Sequence, residues 1–198
     1  EARIEQTIDR DERARFHKAL VVVKVPDRGG SVPLAMVRKR SAASEGTRAP
    51  VLLIHGYGQN RYVWHLPARS FSNYLARAGF DVFNLDLRGH GRSRHLGARL
   101  PAHVTEFVRE DVPAAVEEIQ KLSGNRPVYL IGHSLDLVLR PEHHADPFVQ
   151  LGRHDVEDAL RAVGGHAAGL LDQEAHRVGL VHQAQLAGLV GLALVPGV

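Results

Sequence analysis

The sequence contains no cysteine, one methionine and one tryptophan in 198 residues, and its aromatics amount to 6%. Without cysteine, disulfide scaffolds and Cys-ligated zinc are excluded. An excess of either charge is also nearly absent. The 25 Lys+Arg against 22 Asp+Glu leave a formal +3, too little to argue for a nucleic-acid partner. What remains is enough to fold. A hydrophobic share of 44% with 24% charged residues fills a core, which excludes wholesale disorder and collagen-like or low-complexity classes. The length fits one domain, with or without an appendage. The first residue is Glu rather than Met, so the chain reads as a fragment or a processed form. A cytoplasmic location is the expectation, and a removed signal peptide is compatible with that start.

A second absence divides the chain. Residues 135–198 contain no Ser, Thr, Ile, Lys, Asn, Tyr, Trp or Met. They hold 4 of the 25 Lys+Arg and 8 of the 22 Asp+Glu, a balance of −4 against +7 for residues 1–134. With Phe148 as the exception, the tail is built from Leu, Val, Ala, Gly, Arg, Asp, Glu, Gln, His and Pro. All ten have codons beginning with G or C, as a GC-rich gene yields when read in a shifted frame or from the opposite strand. We therefore expect two segments: 1–134, the N-terminal part of a domain, and 135–198, a tail of anomalous composition from out-of-frame or wrong-strand translation, with a natural biased tail as the alternative. Resequencing the gene through Leu135 checks this, and an intact frame sinks it. In the tail, His143, His144 and His154 do not form a ligand spacing on a clear helix, so no metal site is assigned. Residues 178–198 carry no formal charge and are long enough to span a bilayer. They also hold His182, Gln183, Gln185 and Pro196, so no membrane segment is assigned.

Residues 1–134 read as alternating strands and helices. Residues 1–18 are charged, with Ile4, Ile8 and Phe16 too sparse for a stripe. Leu20–Val25 and Val32–Arg38 flank the turn residues Pro26 to Gly30 and suggest a hairpin. Val51–Ile54 is a short, fully apolar strand of the kind buried on both faces. Leu66–Ala78 has helical spacing and meets its stop at Gly79. Phe80–Leu85 is another strand. Val104–Leu122 repeats apolar residues at three and four, and its interior Pro113 predicts a kink or a start nearer Asp111. Val128–Ile131 is the next strand. The alternation predicts an α/β fold with a mostly parallel sheet and flanking helices.

Three motifs fall at the carboxyl ends of these strands. Gly132-His133-Ser134-Leu135 follows Val128–Ile131 and supplies four of the five positions of a G-x-S-x-G turn, which lifts a serine hydroxyl above a sheet. The fifth position is Asp136, at the compositional junction, where an in-frame gene is expected to encode Gly. His55-Gly56-Tyr57-Gly58 follows Val51–Ile54 and can aim a backbone N–H at a developing oxyanion. His55 itself reads as a structural histidine that holds the loop. Asp86-Leu87-Arg88-Gly89-His90-Gly91-Arg92-Ser93 follows Phe80–Leu85, and its Asp86 and Arg88 read as braces between loops.

In this order and context the three motifs resemble the α/β-hydrolase fold family of serine hydrolases, over about residues 20–135. The run Asp111-Val112-Pro113-Ala114 before Ser123-Gly124 looks similar to lipase- and esterase-like members. The resemblance implies Ser134 as the catalytic nucleophile, activated by a His that an Asp or Glu orients. It implies the N–H groups of Tyr57 and Leu135 as the oxyanion hole, and a reaction on a carboxylic ester, amide or thioester through an acyl-enzyme. It implies neither a metal nor an organic cofactor. The partner is a small-molecule acyl ester, not nucleic acid and not a membrane. The acid and the His are not assigned: Asp155, Asp158, Asp172, His166, His176 and His182 lie in a stretch too rich in both types to select any. The chain as it stands is expected to be truncated and inactive for want of a triad. An acyltransferase or a cofactor-free peroxidase of the same fold, and a non-catalytic binding protein, are the alternatives.

Overall fold

The computed structural model describes residues 1–27, 29–43, 47–133, 149–150 and 190–195. The chain opens with a three-stranded antiparallel meander: β1 (Ala2–Asp9), β2 (Glu12–Asp27) and β3 (Gly30–Ser41). The β2–β3 hairpin is the one suggested by the two apolar runs, and it closes at the pair Asp27 and Gly30. Residues 1–18, too charged to show a stripe, form β1 and the first half of β2. Phe16 and Ile8 are buried there, and backbone pairing supplies the rest. Charged side chains on such an outer strand also discourage edge-to-edge association.

The sheet among the described residues has eight strands in the order β1-β2-β3-β5-β4-β6-β8-β7. Its centre is parallel: β4 (Pro50–Ile54) lies between β5 (Asp81–Asp86) and β6 (Val128–His133). On one side β3 joins β5 antiparallel. On the other, β8 (Val190–Val195) joins β6 antiparallel and β7 (Val149–Gln150) joins β8. The sheet is therefore mixed, with parallel pairing in the core that the strand–helix alternation encodes. Sequence patterning found no strand followed by Asp or His in the tail; the apolar run 190–195 nevertheless pairs along the whole of β6.

Both faces of the centre are covered, as the unbroken apolar run of β4 requires. Leu52 and Ile54 face a cluster with Leu34, Met36, Phe83, Leu85 and Leu130. Helix α3 (Val112–Ser123) covers it with Val112, Ala115, Val116 and Ile119. Val51 and Leu53 face the opposite cluster, where α1 (Phe71–Arg77) contributes Leu75 and Ala76. Each such buried aliphatic side chain contributes about 1.5–3 kcal/mol of burial.

The helix ends explain how the sequence spacing and the structure differ. α1 starts at Phe71 rather than Leu66 because the Ser70 hydroxyl accepts the Asn73 N–H at 3.2 Å. It ends before Gly79, whose φ is +95°. α3 begins at Val112, with Pro113 in its first turn. The π-helical turn Phe107–Asp111 runs directly into it through Asp111 and Val112, both in the right-handed helical region, so the irregularity expected at Pro113 takes the form of a π turn just before it rather than a separate start.

Candidate active site

Register brings the motifs together. Ile54, the last residue of β4, pairs with Leu85 of β5 and Gly132 of β6. The loop after Ile54, the segment after Asp86 and the chain after His133 therefore leave the sheet at one edge. The described residues stop there, and Ser134 and Leu135 lie outside them, as do Asp136 and the tail residues His143, His144, His154, Asp155, Asp158, His166, Asp172, His176 and His182. No group of three or more His, Cys, Asp or Glu is placed to hold a metal among the described residues.

The Asp86–Ser93 segment braces this edge. One Asp86 oxygen accepts the Arg61 N–H and the other the Arg92 N–H, both at 2.8 Å, and the Arg61 guanidinium pairs with the same carboxylate. The carboxylate is fully buried, so these partners replace water. Arg61 sits on a short 3₁₀ turn (Arg61–Trp64) whose carbonyl at Arg61 accepts from Asn84 Nδ2 at 3.1 Å. Ser93, on α2 (Gly91–His95), donates to the Asp86 carbonyl at 2.5 Å and accepts the Ala35 N–H at 2.8 Å, tying the segment to β3. Arg88 binds Asp111 through its N–H and Nε, Glu106 through one terminal nitrogen and Glu110 through the other. Burial pushes the Asp111 carboxyl up to about 6 against the pull of Arg88.

Two histidines lace the loop after β4 to the segment after β5. His55 Nε2 accepts the Leu87 N–H at 3.1 Å, and Nδ1 lies 2.8 Å from the Gly56 carbonyl. An N–H donated at Nε2's expense would leave Leu87 unpaired, so the proton sits on Nδ1. His90 repeats the arrangement in the other direction: Nε2 accepts the Gly58 N–H at 3.2 Å and Nδ1 meets the Arg88 carbonyl at 2.9 Å. The two rings lie 5.1 Å apart. Burial pushes His55 down to about 4. His55 is thus a structural histidine, as its sequence context suggests.

That lowered value carries a prediction. The unfolded chain protonates this imidazole near 6.5 and the folded one near 4, so the unfolded state binds the extra proton between those pH values. Stability falls as pH drops from about 6.5 to 4, by on the order of 2–3 kcal/mol from this group. The raised Asp111 acts in the opposite sense below about 6. The difference between the wild type and His55→Gln isolates the imidazole: urea midpoints measured at pH 7 and pH 4.5 should shift less in the variant.

In the loop after β4 three amides are committed. Gly56 N–H donates to Gln59 Oε1 at 3.1 Å, Gln59 N–H to the Gly56 carbonyl at 3.2 Å, and Gly58 N–H to His90. Among the described residues the Tyr57 N–H has no acceptor. The Tyr57 side chain is 66% exposed and stands edge-on to the His90 ring at 5.8 Å.

Sequence patterning missed a second polar cluster. Lys39 on β3 is 3% exposed, and its Nζ donates to Asn73 Oδ1 at 2.7 Å with Ser72 Oγ at 3.5 Å. Ser72 meets Ser70 at 3.3 Å, and Ser70 meets His65 Nδ1 at 2.6 Å. Burial, with Lys18 and Arg61 nearby, pushes the ammonium down to about 7. Burial and the same cations, with Lys39, push His65 down to about 4. Lys39 stands in the basic triplet Arg38-Lys39-Arg40, which reads as a solvated face and gives no signal of burial.

Residues 49–135 match the family model of the alpha/beta hydrolase fold. Human lipase member M is 31% identical over 112 residues, which cover 52% of this chain and 26% of the relative. A Saccharomyces cerevisiae protein named "Probable alcohol acetyltransferase" is 32% identical over 111 residues, covering 52% of this chain and 30% of the relative. An esterase of Pyrococcus furiosus superposes with a TM-score of 0.45 at 20% identity, over 62% of this chain and 46% of that one. The chain thus spans between a quarter and a third of the length of these two curated relatives. Among the described residues no helix is long and apolar enough to cross a membrane.

Proposed function

We propose, from the α/β-hydrolase fold that residues 49–135 share, that the protein is a serine hydrolase of carboxylic esters. Amides and thioesters present the same acyl carbon and are the related substrates. The Ser134 hydroxyl attacks that carbon while its proton passes to a histidine. The carbonyl π electrons move onto oxygen, and the oxyanion accepts the N–H groups of Tyr57 and Leu135. The tetrahedral adduct collapses, the alcohol leaves with the proton, and water then releases the acid from the acyl-enzyme. The observation that carries this reading is the Tyr57 amide. It is left without an acceptor among the described residues, in a loop whose neighbouring amides are committed, at the edge where β6 ends.

No acid and no histidine of a triad are assigned in this chain, and the chain as it stands is proposed to be inactive as an esterase. The test is a serine-directed phosphonate read by peptide mass spectrometry, on the product of the gene resequenced from Val128 onward. Label on Ser134, absent in Ser134→Ala, is the expected result. A folded, complete product that stays unlabelled would falsify the assignment and favour a binding protein. An acyltransferase is the second reading, favoured by the similarity to the yeast alcohol acetyltransferase-type protein. Faster release of the acyl group to an added alcohol than to water distinguishes it.

A further inference from the structure

Resting on that reading, we propose that His90 is the positioning residue of the oxyanion loop: it takes up the Gly58 N–H, so that the loop presents the Tyr57 N–H alone. Gly58 has a φ of +75°, a conformation glycine adopts without the cost a side chain would bring. A loop of this kind has two adjacent amides able to turn outward, at Tyr57 and Gly58. His90 Nε2 lies 3.2 Å from the Gly58 nitrogen and removes one of them from the competition.

The acceptor is itself fixed. Nε2 is free to accept only while Nδ1 holds the proton, and the Arg88 carbonyl at 2.9 Å keeps it there. Arg88 is in turn pinned by Asp111 through its N–H at 3.0 Å and its Nε at 2.6 Å. The ring is buried. It packs at 5.1 Å from the His55 ring, 5.7 Å from Phe107 and 5.8 Å from Tyr57. A chain of contacts thus runs from Asp111 through Arg88 and His90 to Gly58. It orients the Tyr57 amide, which has nothing to donate to among the described residues.

His90→Phe keeps the ring and removes the acceptor; His90→Gln keeps an acceptor near the Nε2 position. Long-range proton–nitrogen correlation on the imidazoles is expected to show His90 protonated at Nδ1 and bare at Nε2. Amide exchange of Gly58 is expected to be slow in the wild type, at least about tenfold faster in His90→Phe and near the wild type in His90→Gln. In the protein that labels at Ser134, kcat for a p-nitrophenyl ester should fall about 100-fold in His90→Phe with KM within about twofold. His90→Gln should recover most of that loss. A proton on Nε2, or Gly58 exchange indifferent to His90→Phe, overturns the lacing whatever the activity. Lacing that is present while kcat is unmoved overturns the positioning role and leaves the Ser134 hydrolase standing. A wild type that exchanges as expected but never labels overturns the hydrolase reading and, with it, the catalytic part of this one.

Discussion

Gly91→Ala is expected to cost about 4 kcal/mol of folding stability, nearer to a core truncation than to a surface change. Two effects add. Gly91 has a φ of +43°, where an alanine is strained by about 1–2 kcal/mol. Its Cβ would also overlap the Asp86 carboxylate, with Oδ2 at 2.6 Å. That carboxylate cannot retreat cheaply. It is fully buried and holds two backbone N–H groups and the Arg61 guanidinium. Displacing it leaves a half-buried cation and two donors short of partners. The double-mutant cycle decides between the effects. In an Asp86→Ala background the overlap is gone, so Gly91→Ala should cost only the 1–2 kcal/mol or so of strain. Equal costs in both backgrounds would show that the carboxylate is not what Gly91 makes room for. Chemical denaturation at neutral pH suffices to measure all four proteins.

Lys39 should make the protein more stable as pH rises, in a window where most domains gain nothing. The unfolded lysine titrates near 10.5 and the folded one near 7. Between those values the unfolded state binds the proton that the folded state has released, so unfolding free energy climbs with pH. The full penalty of the buried charge is present below about 7 and has gone by about 10.5, a change of up to about 4–5 kcal/mol. Cations enforce it: Lys18 and Arg61 both disfavour the ammonium, and its hydrogen-bond partners Asn73 and Ser72 are neutral. Lys39→Met should therefore stabilise the protein by about 2–4 kcal/mol at pH 6, because a flexible apolar chain of similar length replaces a poorly compensated charge. The gain should vanish near pH 10. There the wild type keeps its bond to Asn73, worth about 1 kcal/mol, and the variant does not. A variant less stable than the wild type at pH 6, by a margin unchanged at pH 10, would show that the ammonium is well accommodated.

Much of the fold was legible because it is written locally. The hairpin β2–β3 announced itself by two apolar runs around turn residues. The irregularity before α3 was marked by Pro113, whose ring is excluded from a regular helix interior. β1 was not legible. Its apolar residues are too few to make a stripe, and it exists because β2 offers a partner from Lys18 back to Glu12, which no window of eight residues reveals. The same holds for β8, an apolar run whose role depends on β6 having an unpaired edge. In the candidate site, the glycines and histidines of the two loops could be recognised as motifs. The partner of each could not.

The sequence by itself determined which segments are strands of the parallel centre, and that three loops rich in glycine and polar residues follow them. Periodicity and turn chemistry act over a few residues, so they survive without tertiary knowledge. Only the tertiary structure decided which loop atoms meet. Ile54 pairs with both Leu85 and Gly132, and that register sets His55 on Leu87, His90 on Gly58 and Arg61 on Asp86 across 25 to 32 positions of chain. It also buried Lys39 against Asn73, 34 residues away. Such pairs follow from the sum of many packing contacts on both faces of the sheet, and no local stretch of sequence carries that sum.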